Sequence, residues 1–193
     1  MEFTAEKEFD DCEFRDLKCR EEDLTARHFS NCVFERCDLT ESNFSDSKFS
    51  ECRFHQCDLS LVIIDGCKWM DVRFEDCKIA GADFSKSNEF MLEINFFNCL
   101  LNAVNFSDLK LHNTAFKACA IRECDFVNAD LSGADFYQSN LAGSLFHNTN
   151  LSKVNLHEAT EFAINPLTNN VNKLRVSLPE ALTLLEYLGV IIE

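Results

Sequence analysis

The chain has 193 residues, with 33 acidic side chains against 18 basic ones, a formal charge of −15, and only 5 glycines and 2 prolines. That length suits one domain, and so little glycine and proline excludes collagen-like and low-complexity chains. The charge disfavours direct binding to nucleic acid, whose phosphates need cations, but permits the reverse, a surface that imitates nucleic acid. No apolar run is long enough to span a bilayer, and the acidic start Met1-Glu2-Phe3 does not read as a signal peptide.

Residues 1–8 read as a lead-in. From Phe9 onward every fifth residue is large and apolar, and the residue two before it is small. The stretch Val72-Arg73-Phe74-Glu75-Asp76-Cys77-Lys78-Ile79-Ala80-Gly81-Ala82-Asp83-Phe84 gives the rule. These large centres run from Phe9 to Phe84, slip by two residues, and resume from Met91 to Leu156. A period of five fits neither a helix nor a simple strand. Sustained over so much of the chain, it means a solenoid.

If four such repeats make one coil, residues 20 apart stack, or 22 apart across the slip. One column is Phe14, Phe34, Phe54, Phe74, Phe96, Phe116, Phe136 and Leu156. The opposite one is Leu24, Phe44, Ile64, Phe84, Phe106, Phe126 and Phe146. A third, from Cys19 to Leu141, is aliphatic after its first member. The fourth runs Phe9, Phe29, Phe49, Trp69, Met91, Leu111, Leu131, Leu151. The break at residues 85–90 is expected as a bulge or short loop.

The pattern is expected to stop near residue 160, where Glu161 takes the next centre and Asn165-Pro166 signals a turn. Residues 173–176 are expected to run extended across the last coil. Ser177-Leu178-Pro179-Glu180 fits a capping box that starts a C-terminal helix. Leu178, Leu182, Leu185 and Leu188 form its apolar stripe, Gly189 its C-cap, and Val190-Ile191-Ile192 an apolar tail. The domains are thus a solenoid over 1–160 and a connection, helix and tail over 161–193.

Ten of the eleven cysteines fall two before a centre, and Cys19 falls on one. All are expected inside as small apolar residues, without disulfides or bound metal. Parallel side chains about 4.8 Å apart do not offer the converging Cβ atoms a disulfide needs. Reduced buried thiols point to the cytoplasm. The five histidines are scattered over outward positions, and serines are too common at polar positions for any Ser/His/Asp coincidence to carry weight. No phosphate-binding loop or dinucleotide fingerprint is present. No catalytic site, cofactor or membrane segment is expected.

At the level of motif, Ala129-Asp130-Leu131-Ser132-Gly133 followed by Ala134-Asp135-Phe136 resembles the pentapeptide-repeat proteins. The resemblance spans roughly residues 7–160. It implies an all-β fold, a right-handed quadrilateral β-helix with four pentapeptides per coil, here followed by the C-terminal α-helix. The chain is most similar to the topoisomerase-protecting branch: the quinolone-resistance, albicidin-resistance and microcin B17 immunity proteins. Three segments carry this: Cys57-Asp58-Leu59-Ser60-Leu61 leading into Met70 to Lys78, then Ser144-Leu145-Phe146-His147-Asn148-Thr149, then Ser177-Leu178-Pro179-Glu180-Ala181 with Leu184-Leu185. The resemblance implies a homodimer through the C-terminal coils and a DNA-like acidic rod that binds DNA gyrase, with topoisomerase IV a second candidate partner. Quinolone-resistance members carry projecting loops. Here only residues 85–90 break the pattern, so self-immunity against a peptide-type gyrase poison is as good a reading as quinolone protection.

Two surface features are candidates for contact. Residues 1–93 hold 23 acids and 12 bases, leaving 10 and 6 beyond. The longest acidic column is Asp11, Asn31, Glu51, Asp71, Glu93, Asn113, so Asp11, Glu51, Asp71 and Glu93 are the expected gyrase contacts. Leu61, Ile63, Met70, Phe90, Leu92, Phe97 and Leu100 are apolar at outward positions, and Met70, Phe90 and Leu92 form a candidate apolar contact patch beside the break. For the dimer, Leu178, Leu182, Leu185, Leu188 and Val190 are the expected interface. The alternative function is a scaffold solenoid with another protein partner.

Overall fold

The structure is a computed structural model, and it describes residues 6–190. It is a quadrilateral β-helix of about eight turns with one short C-terminal helix. The period of five has a backbone cause. Away from the break, the residue two after each centre adopts the left-handed conformation, with φ between 49° and 64° at the non-glycine corners. Each such residue turns the chain through one corner, and its N–H bonds a carbonyl of the next coil, as from Asp11 to Ser30 at 3.0 Å. The residue before the centre is often Asp or Asn. Its carboxylate or amide oxygen accepts the N–H two residues on, as Asn43 does from Ser45 at 2.9 Å and Asp130 from Ser132 at 3.0 Å. These local turns fix each corner.

Parallel pairing between coils follows the expected register: Glu8 with His28, His28 with Lys48, Lys48 with Lys68. Centres and minus-two residues fill the interior. Phenylalanine rings stack along the axis at 4.5–5.2 Å between centroids, as in Phe14–Phe34–Phe54 and Phe84–Phe106–Phe126. Across the axis they meet edge to face, as Phe106 does Phe116 at 5.6 Å. Each fully buried ring contributes about 1.5–3 kcal/mol by burial, and such ring pairs add about 0.5–1.5 kcal/mol. The column through Phe14 and Phe116 is continuous. Its ring partner changes sides at the break. Before it, Phe9, Phe29, Phe49 and Trp69 stack; after it, Phe84, Phe106, Phe126 and Phe146 do. Leucines fill the vacated column, so the cross-section keeps its ring content.

At the break, turns of 3-10 helix at Phe84–Lys86 and Glu89–Met91 are opened by Asp83 and Asn88, whose side chains accept from Ser85 and Phe90. The buried Ser87 hydroxyl accepts the Trp69 indole N–H at 3.1 Å. Beyond it the register is offset by 22, as Val72 with Ile94, but Trp69 pairs with Leu92, an offset of 23. The bulge corrects two expectations. Leu92, not Met91, is the inward residue of this coil: Leu92 is 9% exposed and Met91 43%. Leu92 therefore leaves the candidate apolar patch and lies beside Trp69, not against Met70.

Stacking continues past residue 160. Glu161 is exposed, but Phe162 and Ile164 are buried, and Asn155–Leu156 pairs in parallel with Arg175–Val176. The capping box does not form. The Ser177 hydroxyl instead accepts the Glu158 N–H at 2.9 Å, and Pro179 precedes a 3-10 turn at Glu180–Leu182 and one turn of α-helix at Thr183–Glu186. Gly189 has φ +70°, as expected for a helix end. Ile191 and Ile192 of the expected tail lie outside the described residues.

Candidate functional site

The acidic column occupies one corner of the helix. Asp11, Asn31, Glu51, Asp71 and Asn113 are all left-handed corner residues. Their backbones are fixed, since Asn31, Glu51 and Asn113 donate to Ser50, Met70 and Ser132 of the following coil at 2.8–3.0 Å. Their side chains are exposed. Glu93 joins the column differently. It lies within the strand Leu92–Phe97, opposite the bulged pair Met70-Asp71, and it too is exposed. Coil spacing puts neighbouring members about 4.8 Å apart along the axis. Asp71, Glu93 and Asn113 line a groove of about 230 Å³ together with His112, whose Nδ1 lies 2.8 Å from the Ser132 hydroxyl.

This corner carries no ion-paired counter-charge on three of its carboxylates. Asn31 donates to Asp11 at 2.5 Å. Among the described residues, Glu51, Asp71 and Glu93 have no cation within ion-pair distance. Other faces differ. Arg36 grips Asp16 at 2.7 and 2.9 Å, Lys78 meets Asp58 at 3.0 Å and Lys117 meets Asp135 at 2.8 Å. The Arg36 hydrogen bond holds the Asp16 carboxyl below its usual range. Carboxylates without such partners project the protein's field outward.

Of the candidate apolar patch, Phe90 is 84% exposed and Met70 half-buried, its sulfur 3.8 Å from the Ser50 hydroxyl. Met91 takes the outward place expected of Leu92. Phe97 is half-buried under the Arg73 guanidinium, which lies 4.1 Å from the ring centroid. Leu61, Ile63 and Leu100 are exposed as expected. Of the candidate dimer residues, Leu178, Leu182, Leu188 and Val190 are exposed and Leu185 half-buried. Leu145, Leu167 and Tyr187 are exposed near the same end and were not singled out from sequence. Leu145 was legible, since it stands in a column otherwise holding Asn105 and Asp125.

All eleven cysteines are free. Ten are buried; Cys12, on the first coil, is only half-buried. Burial pushes the Cys67 and Cys124 thiols up to about 12. Among the described residues no helix is long and apolar enough to cross a membrane.

Residues 27–91 match the family described as Pentapeptide repeat region, and residues 129–160 the one described as Pentapeptide repeats (8 copies). No curated protein matches the chain. Among solved structures, full-length QnrB1, a plasmid-mediated fluoroquinolone resistance protein, superposes with a TM-score of 0.59 at 16% identity, over 95% of this chain and 100% of that one. HetL, a pentapeptide-repeat protein involved in heterocyst differentiation regulation from the cyanobacterium Nostoc sp. strain PCC 7120, gives 0.47 at 15% identity, over 91% of this chain and 93% of that one.

Proposed function

Because the chain belongs to the pentapeptide-repeat proteins, we propose that it is a DNA mimic that binds DNA gyrase and shields it from an inhibitor or toxin. The observation that carries this reading is the uncompensated corner of Glu51, Asp71 and Glu93. Carboxylates about 4.8 Å apart along a straight edge approach the roughly 3.4 Å axial spacing of phosphates on one DNA strand. The proposed surface on gyrase is the basic one that holds DNA. Sharing a fold with a fluoroquinolone resistance protein is in keeping with this reading.

The reading includes a homodimer. Leu178, Leu182, Leu185, Leu188 and Val190 lie at the end where the solenoid stops, and pairing two such ends would cover them. A two-fold contact closes without forming a fibre. The dimer would be a rod with an acidic corner on each half.

Mimicry predicts that the purified protein inhibits DNA supercoiling by gyrase, and that inhibition weakens as salt rises, because screening shortens the reach of the carboxylates. The protein would act by occupancy, without turnover. If supercoiling by gyrase and relaxation by topoisomerase IV both proceed unchanged at micromolar protein and low salt, the mimic reading is wrong. The chain is then a scaffold for another partner.

A further inference from the structure

The face centred on Cys19, Leu39, Leu59, Ile79, Leu101 and Ile121 has a different character. Flanking these centres, from the first coil to the sixth, are Lys18 and Arg20, Asp38 and Thr40, Asp58 and Ser60, Lys78 and Ala80, Leu100 and Asn102, Ala120 and Arg122, with Thr40 and Ser60 buried. The two carboxylates within the face, Asp38 and Asp58, are ion-paired to Arg20 and Lys78, while Glu21, Glu41 and Glu123 stand on its bordering corner. At its centre the polar column Lys18, Asp38, Asp58, Lys78 gives way to Leu100 and Ala120. Leu100 is 56% exposed.

A groove of about 320 Å³ lies here, floored by Ala80, Leu100 and Ala120 and flanked by Lys78 and Arg122. Lys78 already meets Asp58, but Arg122 is exposed and makes no ion pair among the described residues. Leu61, 54% exposed, extends the apolar floor. Its Cδ2 lies over Gly81, only 2.8 Å from where a Cβ would stand. Gly81, with φ +67°, thus gives Leu61 a berth that a larger corner residue would close.

We propose that this groove docks an acidic, aliphatic segment of a partner protein: a leucine-type side chain on the floor, with a flanking carboxylate on Arg122. The groove can hold one or two aliphatic side chains. A free guanidinium beside it selects carboxylate over a basic flank. The molecule's overall negative charge does not forbid this. At physiological salt the screening length is about 8 Å, so an occupant meets mainly the charges of this face. The site is separate from the acidic corner and does not depend on its role.

The test uses three labelled twelve-residue peptides: one of leucine pairs flanked by Asp and Glu, one with the acids replaced by Lys, one with the leucines replaced by Ser. Fluorescence anisotropy on the full chain should show binding of the first and at least tenfold weaker binding of the serine peptide. Leu100→Asp and Arg122→Glu should each weaken the first peptide at least tenfold, with melting curves like wild type because both side chains point outward. Binding of the lysine peptide, if seen, should be unaffected by Leu100→Asp. The proposal is overturned if the acidic leucine peptide does not bind up to millimolar concentration, or if neither substitution weakens it.

Discussion

A thiol buried among apolar side chains cannot readily ionise, because its thiolate would lose hydration without gaining a partner. Cys67 and Cys124, raised from 9.0 to about 12, are such groups. Between those values the unfolded chain releases a proton that the folded chain keeps. Stability is therefore full below about pH 9 and falls as pH rises, by about 1.4 kcal/mol per pH unit for each thiol. Denaturant melts from pH 8 to 11 should show that decline; a flat profile would place these thiols in contact with water. Thiol reagents at neutral pH should modify at most Cys12 quickly in the native protein and all eleven cysteines after denaturation. The bulge gives a second residue-scale prediction. Leu92→Ala should cost about 2–5 kcal/mol, as for a buried leucine, while Phe90→Ala should stay within about 0.5 kcal/mol. The reverse order in urea melts would mean that Leu92 faces solvent after all. Sequence could not separate Met91 from Leu92, because both are large and apolar and the bulge, set by pairing with the long strand Lys68–Glu75, leaves no mark in a five-residue pattern.

At the scale of elements, the coils were legible because each pentapeptide repeats one local problem. A corner needs a left-handed residue, and Asp and Asn bear that conformation better than most side chains. This gives a purely structural reason for Asp11, Asp71, Asn31 and Asn113. It gives none for Glu51 and Glu93, whose longer side chains lack that tolerance, and Glu93 is not left-handed. The C-terminal element was less legible. Leu178, Leu182, Leu185 and Leu188 have helical spacing, yet only Thr183–Glu186 is α-helix, since Ser177 is drawn to Glu158 instead of capping a helix. So short a helix is marginal alone and depends on what its leucines contact. If they contact a second copy, light scattering should give a dimer for wild type and a monomer for Leu185→Glu, with the solenoid's melting little changed. An unchanged mass for the variant would remove Leu185 from the interface.

At the scale of the whole molecule, solenoid stacking converts a sequence column into a straight edge with fixed spacing, so unpaired carboxylates add along a line. Attraction to a basic saddle should then be spread over several of them, with no single residue dominant, and should speed encounter as well as hold the complex. The solenoid could be read from the period, and the four-sided coil, with it the position of this edge, from the resemblance to pentapeptide-repeat proteins. The absence of counter-ions along it could not, because which arginine reaches which carboxylate depends on rotamers across coils. The measurement that tests the account most directly compares gyrase supercoiling with wild type and with Glu51, Asp71 and Glu93 all changed to Lys, at low salt. The account predicts that the triple variant folds normally and loses most inhibition, that each single change loses a modest part, and that added salt weakens the wild type in parallel. A triple variant that inhibits gyrase as strongly as wild type at low salt would contradict it.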